Sequence, residues 1–134
     1  MSKPLHPDGW AAPRGYAHGM SSEAGGRIIV TAGQVGWDPA TGRFSSDDFS
    51  AQGAQALRNV VAVLHAGGAR PEHLVRLTWF IVSAEEYTSA RAALGAAYRE
   101  IIGRHYPAMS VVVVSALLEP RAKVEIEATA IVPL

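Results

Sequence analysis

The sequence contains no cysteine among its 134 residues. This absence excludes disulfide bonds, thiolate nucleophiles, iron–sulfur clusters and zinc sites built on cysteine. The five histidines show neither HxH nor HExxH spacing, so we predict no metal site. The glycine-rich loops that typically bind phosphate groups are also missing, which removes the usual sequence signal of a nucleotide cofactor.

The chain also lacks an excess of charge of either sign, because 12 Lys and Arg balance 12 Asp and Glu. Nucleic-acid and acidic-membrane binders normally carry a positive excess, so we expect neither partner. No apolar run approaches the roughly 18 residues of a membrane span, and residues 1–13 are polar and proline-rich, unlike a signal peptide. We therefore expect a cytoplasmic protein. The length predicts a single domain over 1–134, with 1–13 as an N-terminal arm.

Hydrophobic periodicity predicts an alternation of strands and helices. Leu57, Val60 and Leu64, for example, recur at helical spacing. The predicted elements are strands at 15–22 and 27–32 joined by a hairpin turn at Gly25-Gly26, a helix at 48–66, a strand at 74–82, a helix at 84–102, and strands at 109–115 and 122–131. This order indicates an α+β (mixed α/β) domain with a single sheet.

The predicted strand at 109–115 carries four valines in succession, Val111 to Val114. Successive side chains point to opposite faces of a strand, so both of its faces are apolar and require burial. Two helices packed on one face of the sheet leave the second face without a cover. We infer that another copy of the chain covers it, which predicts a closed homo-oligomer.

Several short segments resemble one family when they are taken together in their order along the chain. They are Gly15-Tyr16, Ala32-Gly33-Gln34, the turn at 36–42, Pro107-Ala-Met-Ser110 and the strand at 124–130. Over about residues 14–132 the sequence resembles the RidA family, also called the YjgF or L-PSP endoribonuclease family. The resemblance implies a chorismate-mutase-like fold, a homotrimer and pockets between adjacent subunits. It further implies hydrolysis of reactive enamines and imines to a keto acid and ammonia, without a metal or cofactor.

The resemblance also assigns candidate site residues. Tyr16 and Glu125 are the catalytic candidates, with Tyr16 orienting the substrate and Glu125 activating water. Gly33 and Gln34 are substrate-binding candidates, because the backbone N–H of Gly33 can stabilise an anionic oxygen. For Glu125 an alternative remains, namely a solvated strand face on which it pairs with Lys123.

The sequence departs from the family pattern at three of these positions. Met109 replaces the arginine that binds the substrate carboxylate, and Ala32 replaces a serine. Arg91 stands roughly where an asparagine is often found on the second helix. Ala32, Arg91 and Met109 are kept as substrate-binding candidates. Ser110, which follows Met109 in the Pro-Ala-Met-Ser segment, is kept as well.

The loss of the arginine matters most. Its planar guanidinium makes two hydrogen bonds to a carboxylate, whereas methionine offers an apolar surface. Removing one partner of such a pair in a closed pocket costs roughly 2–4 kcal/mol. The usual 2-iminocarboxylates should therefore bind poorly unless another cation substitutes. The sequence leaves four candidates open: Arg14, Arg91, Arg104 and Arg121.

Two further residues carry alternative interpretations. Trp79 either packs in the core or an interface, or forms with Met109 an apolar pocket wall. His18 lies two residues beyond Tyr16 on the same predicted strand face, and is either a surface histidine or an acid–base group. Both are kept as substrate-binding candidates.

The leading functional prediction is an enzyme that hydrolyses a small enamine, imine or related reactive metabolite, but is not a standard 2-iminoacid deaminase. The alternative is a non-catalytic trimer that binds a small-molecule metabolite or docks on a partner enzyme. Ribonuclease activity is disfavoured, because the net charge is zero and no basic–aromatic stripe is present.

Overall fold

The computed structural model describes residues 2–23 and 25–134. Its strands are β1 (Ser2–Leu5), β2 (Gly19–Ser22), β3 (Arg27–Val30), β4 (Gln34–Val35), β5 (Leu74–Ile81), β6 (Ala108–Val113) and β7 (Val124–Val132). Its helices are α1 (Phe49–Ala66), α2 (Ala84–Ser89) and α3 (Arg91–Ile101), with a 3₁₀ turn at Pro71–His73. The main five-stranded sheet has the order β3-β7-β5-β6, and β4 also pairs with β7. The predicted α+β class with one main sheet is confirmed.

Side-chain hydrogen bonds cap the first residues of α1 and α2. Asp48 caps α1 by accepting a hydrogen bond from the N–H of Ala51 at 2.9 Å, and Ser83 caps α2 in the same way with Glu86 at 3.1 Å. The predicted helix at 84–102 is in fact two, because the backbone leaves helical geometry at Ala90 (φ −96°, ψ 2°). Periodicity did not reveal this break, since both helices continue a similar apolar pattern. No helix within 2–23 and 25–134 is long and apolar enough to cross a bilayer.

The hydrophobic core lies between the helices and one face of the main sheet. Leu77 and Trp79 of β5 and Ile126 of β7 are buried there against α1 and α3. Each such side chain contributes about 1.5–3 kcal/mol when it is fully removed from water. Along β7 buried and half-buried residues alternate, which is the pattern of a strand with only one face in the core.

The opposite face of the main sheet carries apolar residues that nothing in the described chain covers. Ile28 and Val30 of β3 are 66% and 67% exposed, and Val112 of β6 is 42% exposed. Half-buried Phe80 lies beside Val112 in the ladder. We call this face of the main sheet, which carries Ile28, Val30, Phe80 and Val112, the open face. Contiguous exposed apolar surface of this kind is typical of an interaction surface.

The N-terminal region differs from the prediction in two ways. Residues 2–5 of the predicted arm form β1, which pairs with β2. The predicted hairpin between 15–22 and 27–32 is wrong, because β3 pairs with β7 instead. The physical reason is burial: Ile29 of β3 packs against the core, whereas β2 (Gly-Met-Ser-Ser) offers a single large apolar side chain.

Candidate functional site

A cavity of about 580 Å³ opens on the helix side of the sheet, between β5, β6 and the α2–α3 pair. We call it the helix-side cavity. Its walls are largely aromatic and include Tyr16, Trp79, Tyr98 and Tyr106, with Met109 beside them. Pockets with apolar and aromatic walls and a few polar groups are typical small-molecule sites.

Strand register explains how these side chains meet. Met109 of β6 lies opposite Leu77 of β5, so it points to the helix side, as does Trp79 two residues further along β5. Tyr16 is brought to the same place by a backbone hydrogen bond of 2.9 Å from the N–H of Ala17 to the carbonyl of Pro107, next to β6. The cavity is therefore assembled from segments far apart in the sequence.

Two stacked tyrosines form a rigid wall of the cavity. The Tyr98 and Tyr106 rings lie 5.3 Å apart with an interplanar angle of 10°. The Tyr98 hydroxyl donates to the carbonyl of His105 at 2.6 Å. Burial raises the pKa of Tyr98, and the neighbouring Tyr106 adds to the rise. Tyr98 therefore stays protonated at neutral pH, which suits a structural donor rather than a base.

A second group of candidate residues lies on the open face. Glu125 of β7 pairs with Phe80 and therefore points away from Trp79 and Met109. Its carboxyl group packs against Gly33: a Cβ added at Gly33 would lie 2.7 Å from the carboxyl carbon. Beside it, the side-chain amide of Gln34 donates to the carbonyl of Ala32 at 3.3 Å. We call this arrangement the Glu125–Gly33 cluster.

Buried polar side chains of α1 hold the loop that carries this cluster. Asn59, which is 3% exposed, donates to the carbonyls of Val35 and Trp37 at 3.0 Å each. Gly36 lies so close to α1 that an added Cβ would be 2.6 Å from the Cα of Gln52. These contacts tie β4, and with it Gly33, to the rigid helix.

Glu125 does not form the predicted pair with Lys123. The Lys123 ammonium instead lies 2.9 Å from the carboxylate of Glu86 on α2. Within residues 2–23 and 25–134, Glu125 has no ion-pair partner. Its carboxylate, half-buried and adjacent to an exposed glycine backbone, is chemically able to orient or deprotonate a water molecule.

Comparison with known proteins shows the family to which the chain belongs. The family model described as "Endoribonuclease L-PSP" matches residues 10–132. A "2-iminobutanoate/2-iminopropanoate deaminase" from Salmonella typhimurium is 34% identical over 132 residues, 98% of each chain. The chain belongs to the endoribonuclease L-PSP family, which is the RidA family.

Solved structures of RidA family members share the fold. The Rid protein YyfB from Yersinia pestis superposes with a TM-score of 0.83, at 31% identity and 98% coverage of both chains. TdcF from Escherichia coli, solved with bound serine, superposes with a TM-score of 0.67 at 28% identity. The second comparison covers 96% of this chain and 98% of that one.

The structure distributes the RidA candidate residues over separate places. The helix-side cavity contains Tyr16, Trp79, Arg91 and Met109, whereas the Glu125–Gly33 cluster contains Ala32, Gly33, Gln34 and Glu125. Ser110 is opposite Thr78 and lies on the open face, outside the cavity. His18 lines a different, smaller cavity with Arg76 and Thr129. The rings of His18 and Tyr16 nevertheless contact each other edge-on, with centroids 5.3 Å apart.

The four arginines left open by the sequence also separate. Arg14 and Arg91 line the helix-side cavity. Arg104 lines a neighbouring cavity next to β1, and Arg121 is held elsewhere by Asp47 at 2.8 Å. Sequence reasoning missed Arg99, which also lines the helix-side cavity. Its spacing of eight residues from Arg91 on one helix was the available signal.

Proposed function

We propose that this RidA family member hydrolyses a small enamine or imine in a site shared between adjacent copies of the chain. One copy supplies the helix-side cavity, and its neighbour in a homotrimer supplies the Glu125–Gly33 cluster. Glu125 takes a proton from water while the oxygen attacks the imine carbon. Glu125 passes that proton to the imine nitrogen, which gives a carbinolamine. Glu125 then takes the hydroxyl proton and returns it to the amine, so that the C–N bond breaks, the C=O bond forms and ammonia leaves. Tyr16 and the Gly33 backbone orient the substrate.

The observation that carries this proposal is the contact between the Glu125 carboxyl group and Gly33. It places a candidate base beside an accessible backbone segment, the combination required to activate water next to a developing negative charge. The proposal is supported by the relative from Salmonella typhimurium, whose name describes an imine deaminase.

The strand geometry supports the proposal of a shared site. Glu125 and Met109 point to opposite faces of the same sheet, so one chain cannot bring them to the same substrate. A second copy packed on the open face brings its own cavity toward Glu125 and covers Ile28, Val30 and Val112 at the same time.

We propose further that the substrate is not a standard 2-iminocarboxylate bound in the usual way. Met109 presents a thioether in the cavity where the family pattern has an arginine. Without that guanidinium, a small 2-iminocarboxylate loses its two-point contact, which weakens binding roughly 30- to 1000-fold.

The direct test measures imine hydrolysis while semicarbazide competes for the imine, which an amino-acid oxidase or threonine dehydratase generates. Wild type, Glu125→Gln and Met109→Arg are run side by side. We expect Met109→Arg to gain activity on small 2-iminocarboxylates, and Glu125→Gln to lower turnover about 10²- to 10⁴-fold. Equal activity of wild type and Glu125→Gln would contradict the proposed base.

The shared site has its own test. Tyr16→Ala and Glu125→Ala each damage one half of the site. In each mixed trimer of the two variants one site in three combines two intact halves, which is roughly one site in four over a random equal mixture. Recovered activity on mixing is the expected result. No recovery, with mixed assemblies verified by mass spectrometry, would place the whole site in one chain.

The alternative is a trimer that binds a metabolite without converting it. It is favoured by Met109 and Ala32, because neither carries the polar group of the family pattern. Glu125→Ala distinguishes the two functions. In an enzyme it abolishes turnover, whereas in a binding protein it changes only ligand affinity.

A further inference from the structure

The helix-side cavity carries positive charge that the proposed reaction does not use. Arg14, Arg91 and Arg99 line it, and all three are exposed at its rim. Throughout the described chain the ion pairs involve other basic residues, so none of the three arginines is neutralised by a carboxylate. A cluster of unpaired guanidinium groups at the rim of an open cavity with several aromatic walls favours an anionic ligand.

Two of these arginines lie on helix α3, one on each side of a glycine. Arg91, Gly95 and Arg99 follow one another at four-residue spacing and so share one side of the helix. A Cβ added at Gly95 would lie 3.4 Å from Nη1 of Arg99, so this guanidinium folds back over the glycine. Glycine inside a helix costs about 1 kcal/mol relative to alanine. The missing side chain at Gly95 therefore leaves room for the Arg99 guanidinium along the cavity wall.

Arg91 is held at the cavity wall by an aromatic ring. Its guanidinium carbon lies 5.7 Å from the centroid of the Tyr87 ring, within the range of a cation–π contact. Among the described residues no carboxylate pairs with this guanidinium, so its N–H donors remain available to a planar anion.

The inner part of the cavity is suited to a flat apolar group. Trp79, which is 5% exposed, lines it together with the stacked Tyr98 and Tyr106. The indole N–H of Trp79 is buried and has no hydrogen-bond acceptor among the described residues. Its Cζ3 corner faces Gly53 of α1, so the N–H, at the opposite end of the indole, points away from that helix. A buried donor without a partner is costly.

We propose that the helix-side cavity binds an aromatic carboxylate, with the carboxylate on Arg91 and Arg99 and the ring against Trp79, Tyr98 and Met109. As a statement about the substrate class, this rests on the proposed function. The anion contact made by arginine in the family pattern is thus moved from strand β6 to helix α3. The preferred substrate is then an imine that carries an aromatic ring and a carboxylate.

The test measures binding directly and does not depend on catalysis. Isothermal titration calorimetry compares 3-phenylpropanoate with its neutral isostere 3-phenylpropanamide, with acetate and with inorganic phosphate. We expect 3-phenylpropanoate to bind at least about 10-fold more tightly than each of the others. Arg91→Gln and Arg99→Gln are each expected to weaken it about 5- to 30-fold. Arg58→Gln, at an exposed position of α1 outside the cavity, is the matched control and should change nothing.

A second variant tests the rim of the cavity. Gly95→Leu occupies the space that the Arg99 guanidinium fills, so it displaces that guanidinium and narrows the cavity, and 3-phenylpropanoate binding should be lost. The melting temperature should not fall, because leucine has a higher helix propensity than glycine. The inference would be overturned if 3-phenylpropanamide or phosphate bound as tightly as 3-phenylpropanoate. It would also be overturned if both arginine variants kept the wild-type affinity for 3-phenylpropanoate. Probe binding together with equal imine hydrolysis by wild type and Glu125→Gln would refute the proposed function alone. Imine hydrolysis without probe binding would refute only this inference.

Discussion

Replacing Gly33 by alanine is predicted to reduce activity without a comparable loss of stability. The new methyl group would lie 2.7 Å from the carboxyl carbon and 2.9 Å from Cγ of Glu125, distances that real Cβ atoms do not tolerate. The Glu125 side chain is half-buried on the open face and can rotate away. The free energy of unfolding should therefore fall by less than about 1 kcal/mol, at the low end for overpacking.

The functional effect should be much larger, because rotation moves the proposed base. A displacement of about 1 Å in a catalytic group commonly costs 10²-fold in rate. We therefore expect kcat to fall about 10²-fold in Gly33→Ala, close to the effect of Glu125→Gln. The assay is the semicarbazide-competed imine hydrolysis, combined with thermal unfolding of the same samples.

Gly36→Ala is the matched control, since it makes the same change three residues further along. Here the new methyl group would lie 2.6 Å from the Cα of Gln52, a backbone atom of α1 that cannot rotate away. We expect a loss of about 2–3 kcal/mol, or roughly 8–12 °C in melting temperature for a chain of this length. Full activity in Gly33→Ala, or a greater loss of stability there than in Gly36→Ala, would refute the reasoning.

Two further predictions concern the stability of the fold. Gln52→Leu leaves the carbonyls of Ser46 and Arg121 and the N–H of Lys123 without their hydrogen-bond partner. Urea titration should therefore show a free energy of unfolding that is lower by about 2–4 kcal/mol. A loss below about 1 kcal/mol would contradict this prediction. Hydrogen bonds from Ser50 and then from the N–H of Ala51 lower the pKa of Asp48 below its ordinary 3.8, so its stabilisation is present above that pH and lost in more acid solution. Asp48→Asn should therefore be less stable than wild type at pH 6, and the difference should shrink by pH 2–3.

The elements that sequence alone predicted correctly are those whose signals are local. Helix α1 begins after Asp48 and ends at Gly67 and Gly68, because capping groups and a glycine with positive φ act within a few residues. The hairpin prediction failed because pairing partners are chosen by burial over the whole sheet. Arg27–Val30 finds its partner in β7, roughly 100 positions further along.

The candidate site shows the same contrast between what local sequence predicts and what long-range pairing decides. Sequence and family resemblance identified Tyr16, Gly33, Met109 and Glu125 as residues worth examining. Only strand register showed that Glu125 and Met109 point to opposite faces of the sheet, and this is why we propose a site between two copies.

The sequence by itself determined the family, the α+β class and the presence of methionine at position 109, because each is recorded in residue identity and short-range pattern. Only the tertiary structure decided which cations lie at the helix-side cavity, namely Arg14, Arg91 and Arg99 rather than Arg104 and Arg121. The physical reason is that a side chain's surroundings depend on packing between elements distant in sequence. Residue type and local periodicity do not contain that information.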